Sequence, residues 1–158
     1  MANTYTQCYF HLVFAVTNRD ALIQKKWKGQ LEKYITGIIQ DEGHKLLAIN
    51  AMPDHIHIFI GYNLNQLIPN LVEQIKTSSN KWIKDSRLSK FQFSWQKVYG
   101  CFTHSNSQID SVVKYILSQE QHHKKNTFKE EYLKILNQND IKYDEKYLFD
   151  FWEDVFCD

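Results

Sequence analysis

A chain of 158 residues with 43% hydrophobic and 23% charged residues is long enough to bury its own core and too apolar to be disordered. Its 5 Gly and 2 Pro exclude collagen-like or low-complexity architecture, and no apolar run approaches the ~20 residues that a membrane-spanning helix needs. The formal net charge of +1 hides an asymmetry, because residues 1–129 hold 16 Lys+Arg against 9 Asp+Glu and residues 130–158 hold 3 against 9.

A basic body joined to an acidic tail raises the expectation that the body contacts nucleic acid. The plainer alternative is two solvated surfaces, the tail packed on the body. The N-terminal residues lack the basic-then-apolar layout of a signal peptide. Cys8, Cys101 and Cys157 show no CxxC spacing and are expected to be reduced thiols of a cytoplasmic protein.

Residues 4–17 are rich in β-branched and aromatic side chains and predict a long strand. Residues 21–42 place Leu22, Trp27, Leu31, Tyr34, Ile35, Ile38 and Ile39 at helical intervals, with Gly43 where a C-cap belongs. Residues 45–52 and 55–62 predict a hairpin turning at Met52-Pro53-Asp54. A second helix is expected over 64–86, a fourth strand over 95–103 and a third helix over 107–124. Thr127 with Glu130 forms a capping box that opens a further short helix. The order strand, helix, strand, strand, helix, strand, then helices predicts an α+β fold: a ferredoxin-like or RRM-like split βαβ antiparallel sheet with helices on one face, followed by C-terminal helices. The whole of 1–158 reads as one domain, with 130–158 an acidic extension packed on it.

His55-Ile56-His57 is the first chemical candidate. On a strand His55 and His57 point the same way, with Phe59, while Ile56, Ile58 and Ile60 point the other way. Two imidazoles side by side can hold one metal ion, although a bare pair of this kind is more often a solvated strand face. Tyr115 and Gln119, at i and i+4, share a helix face; alone they read as a tyrosine at a core rim beside a solvated amide. His122 and His123 diverge by ~100° on a helix, so they are expected at the surface or on backbone groups. His11 and His104 read as core-edge histidines, and Cys101 as packing rather than a nucleophile. Lys76, Lys81, Lys84, Arg87, Lys90 and Lys97 alternate with Trp82, Phe91, Phe93 and Trp95, the composition of a single-strand nucleic-acid binder or of a solvated helix and loop around core anchors.

Together, Met52-Pro53-Asp54-His55-Ile56-His57, Trp95-Gln96 with Tyr99, Lys114-Tyr115-Ile116 with Gln119, and the opening Tyr9-Phe10-His11-Leu12-Val13-Phe14 resemble the single-tyrosine transposases of the smallest bacterial insertion sequences. Those enzymes, with their REP-associated relatives, belong to the HUH endonuclease superfamily. The resemblance implies a metal-dependent transposase acting on single-stranded DNA. It assigns Tyr115 as the nucleophile that forms a 5′-phosphotyrosine. His55, His57 and Gln119 become ligands of Mg²⁺ or Mn²⁺. It also implies a homodimer whose active sites are shared between subunits, and recognition of DNA hairpins at the ends of the element. Lys76, Lys81, Arg87, Lys97 and Lys114 are the expected DNA contacts. The competing reading is a non-catalytic single-stranded nucleic-acid binding module on an RRM-like sheet.

Overall fold

The computed structural model describes residues 4–152 and Val155; Cys157 lies outside them. Four antiparallel strands, β1 (Tyr9–Ala15), β2 (Lys45–Ala51), β3 (His55–Gly61) and β4 (Gly100–His104), form one sheet in the order β2-β3-β1-β4. This is the split βαβ sheet that the element order predicts. The two long helices, α1 (Lys25–Asp41) and α2 (Ile68–Asp85), are followed at the C-terminal end by α3 (Ile109–Leu117), α4 (Gln119–His122) and α5 (Phe128–Gln138).

Alternation along the strands sorts the two faces. Leu12, Phe14, Ile56, Ile58 and Ile60 join Trp27, Leu31, Ile35 and Ile39 of α1 and Leu71, Val72, Ile75 and Ile83 of α2 in the main core. Each such side chain, once fully buried, contributes about 1.5–3 kcal/mol. Phe59 and Ala48 face the other way and meet Val112 and Ile116 of α3. The second face is therefore covered by C-terminal helices, and His55 and His57 are fully buried beneath them.

Several boundaries differ from the expectation. The first helix starts at Lys25, after a short 3-10 turn at Arg19–Ala21, and Gly43 takes the left-handed conformation, φ +86°, that ends it. The fourth strand begins only at Gly100. Trp95 pairs with Val16 as an isolated bridge, and then the carbonyls of Gln96, Lys97 and Val98 all accept from Lys76 Nζ, at 2.6, 3.1 and 3.0 Å. Carbonyls turned onto an ammonium group are not available to a sheet ladder. The run 107–124 is interrupted at Ser118 (φ −94°, ψ 13°), which separates Tyr115 from Gln119.

The acidic tail contributes aromatic packing. Phe149 and Phe151 lie against Phe128 and Tyr132 of α5, with ring centroids 4.8–6.3 Å apart. Gln96 clasps the same segment: its Nε2 donates to Asp150 O at 2.9 Å and its Oε1 accepts from Asp150 N at 2.7 Å. The Trp95-Gln96 pair thus anchors structure, with Trp95 Nε1 donating to Ser79 Oγ at 2.8 Å.

Candidate functional site

The site is assembled from β3, the α3–α4 run and α5. On β3, His57 stands between Val13 of β1 and Asn50 of β2, and His55 stands opposite Ala15. Each ring is fixed through Nδ1. His55 Nδ1 is 2.7 Å from Asp54 Oδ1, and His57 Nδ1 is 2.7 Å from His11 Nε2. His123, immediately after α4, donates from Nδ1 to Asn126 O at 2.8 Å. All three Nε2 atoms therefore point inward. They converge on one oxygen, Glu131 Oε1, at 3.4 Å from His55, 3.0 Å from His57 and 3.0 Å from His123.

The other oxygen of Glu131 gathers the α3–α4 residues. Tyr115 Oη donates to Oε2, and Gln119 Nε2 donates to it at 2.7 Å. Tyr115 and Gln119 thus share a face across the Ser118 break. The tyrosine ring lies 5.9 Å from His57, centroid to centroid. Phe128 stacks on His55 at 3.9 Å and 6°, closing the far side.

The charges fit this arrangement. Burial opposes ionisation of Glu131, but the imidazoles around it outweigh that and hold its carboxyl well below the usual range. Burial pulls His55 down, yet the charge and hydrogen bond of Asp54 raise it to about 9. His57 is lowered, chiefly by burial. Burial and the Glu131 charge push the Tyr115 phenol upward, towards its neutral form.

His55, His57, His123 and Glu131 each offer a ligand atom within 4.8 Å of the others. A buried cluster of three imidazoles and a carboxylate fits a divalent metal ion. The inward nitrogens are oriented by their Nδ1 partners, as metal-binding histidines are. His55 Nε2 and Gln119 Oε1 are buried with no hydrogen-bond partner.

Two of these residues escape the sequence reading. His123 does bind a backbone carbonyl, but it is only 3% exposed and its Nε2 enters the cluster; a surface position is wrong because it follows the last residue of α4 and turns inward there. His122 remains at the rim, 3.9 Å from Glu131 Oε2. Glu131 has a legible signal. It shares the apolar stripe of α5 with Phe128, Tyr132 and Ile135, and an acid on the buried face of an amphipathic helix needs partners. Cys101 shows no role in the site, and burial pushes its thiol up to about 11. Cys8 and Cys101 are free thiols.

The expected DNA contacts divide. Lys81 and Arg87 line an open cavity of about 750 Å³ with Lys84, Lys90 and Phe91. Lys76 is engaged with three carbonyls, Lys97 lies beside it on a separate cavity, and Lys114 is exposed on α3. Of the interleaved aromatics, Phe91 is 54% exposed. Phe93 and Trp95 are core, and Trp82 stacks on Tyr34.

No helix among the described residues is long and apolar enough to cross a membrane. The family profile described as "Transposase IS200 like" matches residues 4–119. ISDra2 transposase TnpA of Deinococcus radiodurans is 25% identical over 118 residues, covering 72% of this chain and 84% of that protein. Two solved structures share the fold, each with a TM-score of 0.59. One is of a candidate transposase from Deinococcus radiodurans, at 21% identity over 75% of this chain and 95% of that one. The other is a REP-associated tyrosine transposase bound to a REP hairpin, at 15% identity over 78% of this chain and 73% of that one. A profile match running from the first strand to Gln119, through both histidines of β3 and Tyr115, places this chain in the family of IS200-like transposases.

Proposed function

We propose that the chain cuts and rejoins single-stranded DNA with Tyr115 as its nucleophile, at a divalent-metal site built on His55 and His57. The observation that carries this reading is that the Tyr115 hydroxyl and the Nε2 atoms of both histidines meet on one carboxylate, Glu131. Gln119, through its unpartnered Oε1, is the oxygen donor beside them, and the ion is Mg²⁺ or Mn²⁺. When bound, such an ion supplies Lewis-acid polarisation of the scissile phosphate and positive charge next to the phenol.

The chain's own residues do the rest. The Tyr115 hydroxyl donates to Glu131 Oε2, the atom placed to receive its proton as the oxygen attacks. Its oxygen attacks phosphorus and the 3′-oxygen of the preceding nucleotide leaves as a hydroxyl. The product is a 5′-phosphotyrosine that retains the energy of the phosphodiester. A 3′-hydroxyl from another strand reverses the step and restores Tyr115. Burial of His55 and His57 keeps bulk water from competing for the intermediate.

The strand is held on the basic surface that includes Lys81 and Arg87. Cations there neutralise phosphates, and the exposed ring of Phe91 offers a stacking face. A hairpin is the substrate form that the REP-hairpin-bound relative suggests for this chain. Incubation of the full chain with Mn²⁺ and a hairpin-bearing single strand is expected to yield a protein–DNA adduct resistant to denaturant. Tight hairpin binding with neither adduct nor cleavage would favour the non-catalytic binding module.

The proposed assembly is a homodimer in which each tyrosine serves its partner's histidines. Within one chain Tyr115 lies against its own His57, so exchange requires α3 to leave its own sheet for the partner's. Mixing His57→Ala protein with Tyr115→Phe protein is expected to restore adduct formation, because one heterodimer site then holds an intact tyrosine and intact histidines. Verified heterodimers without restored activity would place cleavage within a single subunit.

A further inference from the structure

We infer that His123 and Glu131, which both lie beyond the family-matched segment 4–119, are ligands of the same ion, and that they make the site selective for a nitrogen-preferring transition ion over Mg²⁺. The inference rests on the metal site proposed above and narrows its ion, keeping Mn²⁺ and excluding Mg²⁺.

The partner of His123 Nδ1 is a carbonyl, which only accepts, so Nδ1 carries the proton. Nε2 is then the ring nitrogen turned into the cluster, 3.0 Å from Glu131 Oε1, and it is the atom that a cation would bind. His55 is held in the same orientation: Nδ1 sits on the Asp54 carboxylate, which turns Nε2 into the cluster, where it is buried with no hydrogen-bond partner.

Two donors each about 2.1 Å from one ion and at right angles are about 3.0 Å apart. His57 and His123 both stand at 3.0 Å from Glu131 Oε1, and all four donors lie within 4.8 Å of one another. Three imidazoles and one carboxylate suit Mn²⁺, Co²⁺ or Zn²⁺, while Mg²⁺ demands oxygen ligands and keeps its waters. Gln119 Nε2 and Tyr115 Oη both bind Oε2 and so fix the orientation in which Oε1 faces the imidazoles. The segment after Gln119 thereby decides which ion the centre holds.

The test uses the full chain stripped with a chelator and titrated calorimetrically with Co²⁺ and with Mg²⁺. One Co²⁺ per chain is expected, bound about 100-fold or more tighter than Mg²⁺. His123→Gln and Glu131→Gln should each weaken Co²⁺ binding about tenfold or more, with circular dichroism unchanged. X-ray absorption of the Co²⁺-loaded wild-type chain, which needs no variant, should count three imidazole ligands. Equal affinity for Mg²⁺ and Co²⁺, or two imidazoles rather than three, would overturn the inference. If both variants bind Co²⁺ like wild type while His57→Ala does not, the inference fails and the His55–His57 reading stands. If His57→Ala also binds normally, both fail.

Discussion

Tyr115→Phe should leave hairpin binding within about twofold of wild type and remove covalent adduct formation, a loss of about 10³-fold or more. The change deletes one oxygen. The aromatic body stays in place against His57 and His11, so the surface offered to DNA is unchanged. The lost hydroxyl costs about 1 kcal/mol of folding stability, since Gln119 still binds Glu131 Oε2. Adduct yield on denaturing gels and hairpin affinity by fluorescence anisotropy measure the two effects separately. Parallel loss of binding and adduct would mean that Tyr115 serves recognition rather than attack.

Phe128→Ala is expected to cost about 3–5 kcal/mol of stability, as large-to-small changes in packed aromatic cores do. Phe128 is 2% exposed and joins three groups at once: the His55 ring, Tyr132 of α5, and Phe149 and Phe151 of the tail. Its loss opens a cavity between the sheet face that carries the histidines and the helix that carries Glu131. Urea denaturation should show a lower midpoint at an unchanged slope. A cost below about 1 kcal/mol would show that the tail collapses into the gap, and that α5 is held over the histidines by other contacts.

The framework of the molecule was readable because its patterns are local. Alternation in 55–62 separates the histidine face from the isoleucine face, and the four-residue spacing of Trp27, Leu31, Ile35 and Ile39 marks the buried side of α1. The hairpin turn and the Thr127–Glu130 box appear as the sequence indicates. The later start of β4 was not readable, because it depends on Lys76, some 20 residues away, drawing three consecutive carbonyls out of the ladder. The covering of the second sheet face was also hidden, since nothing local says where α3 and α5 dock.

The candidate centre divides in the same way. His55, His57, Tyr115 and Gln119 stand in recognisable spacings. His123 and Glu131 join them only through the return of α5 across the sheet. Adjacency of His122 and His123 argued against both facing one ion, and that geometry holds for a continuous helix; α4 ends at His122. The acid at 131, set among Phe128, Tyr132 and Ile135, was the one local sign that α5 buries a charge and therefore faces a site.

The central claim is that one phenol becomes joined to DNA, and peptide mapping of the trapped adduct tests it most directly. The full chain is reacted with Mn²⁺ and a hairpin-bearing strand, digested with protease and nuclease, and sequenced by tandem mass spectrometry. A nucleotide attached through its 5′-phosphate to Tyr115 is the predicted result. Attachment to another residue, or cleaved DNA with no covalent protein link, would contradict the account.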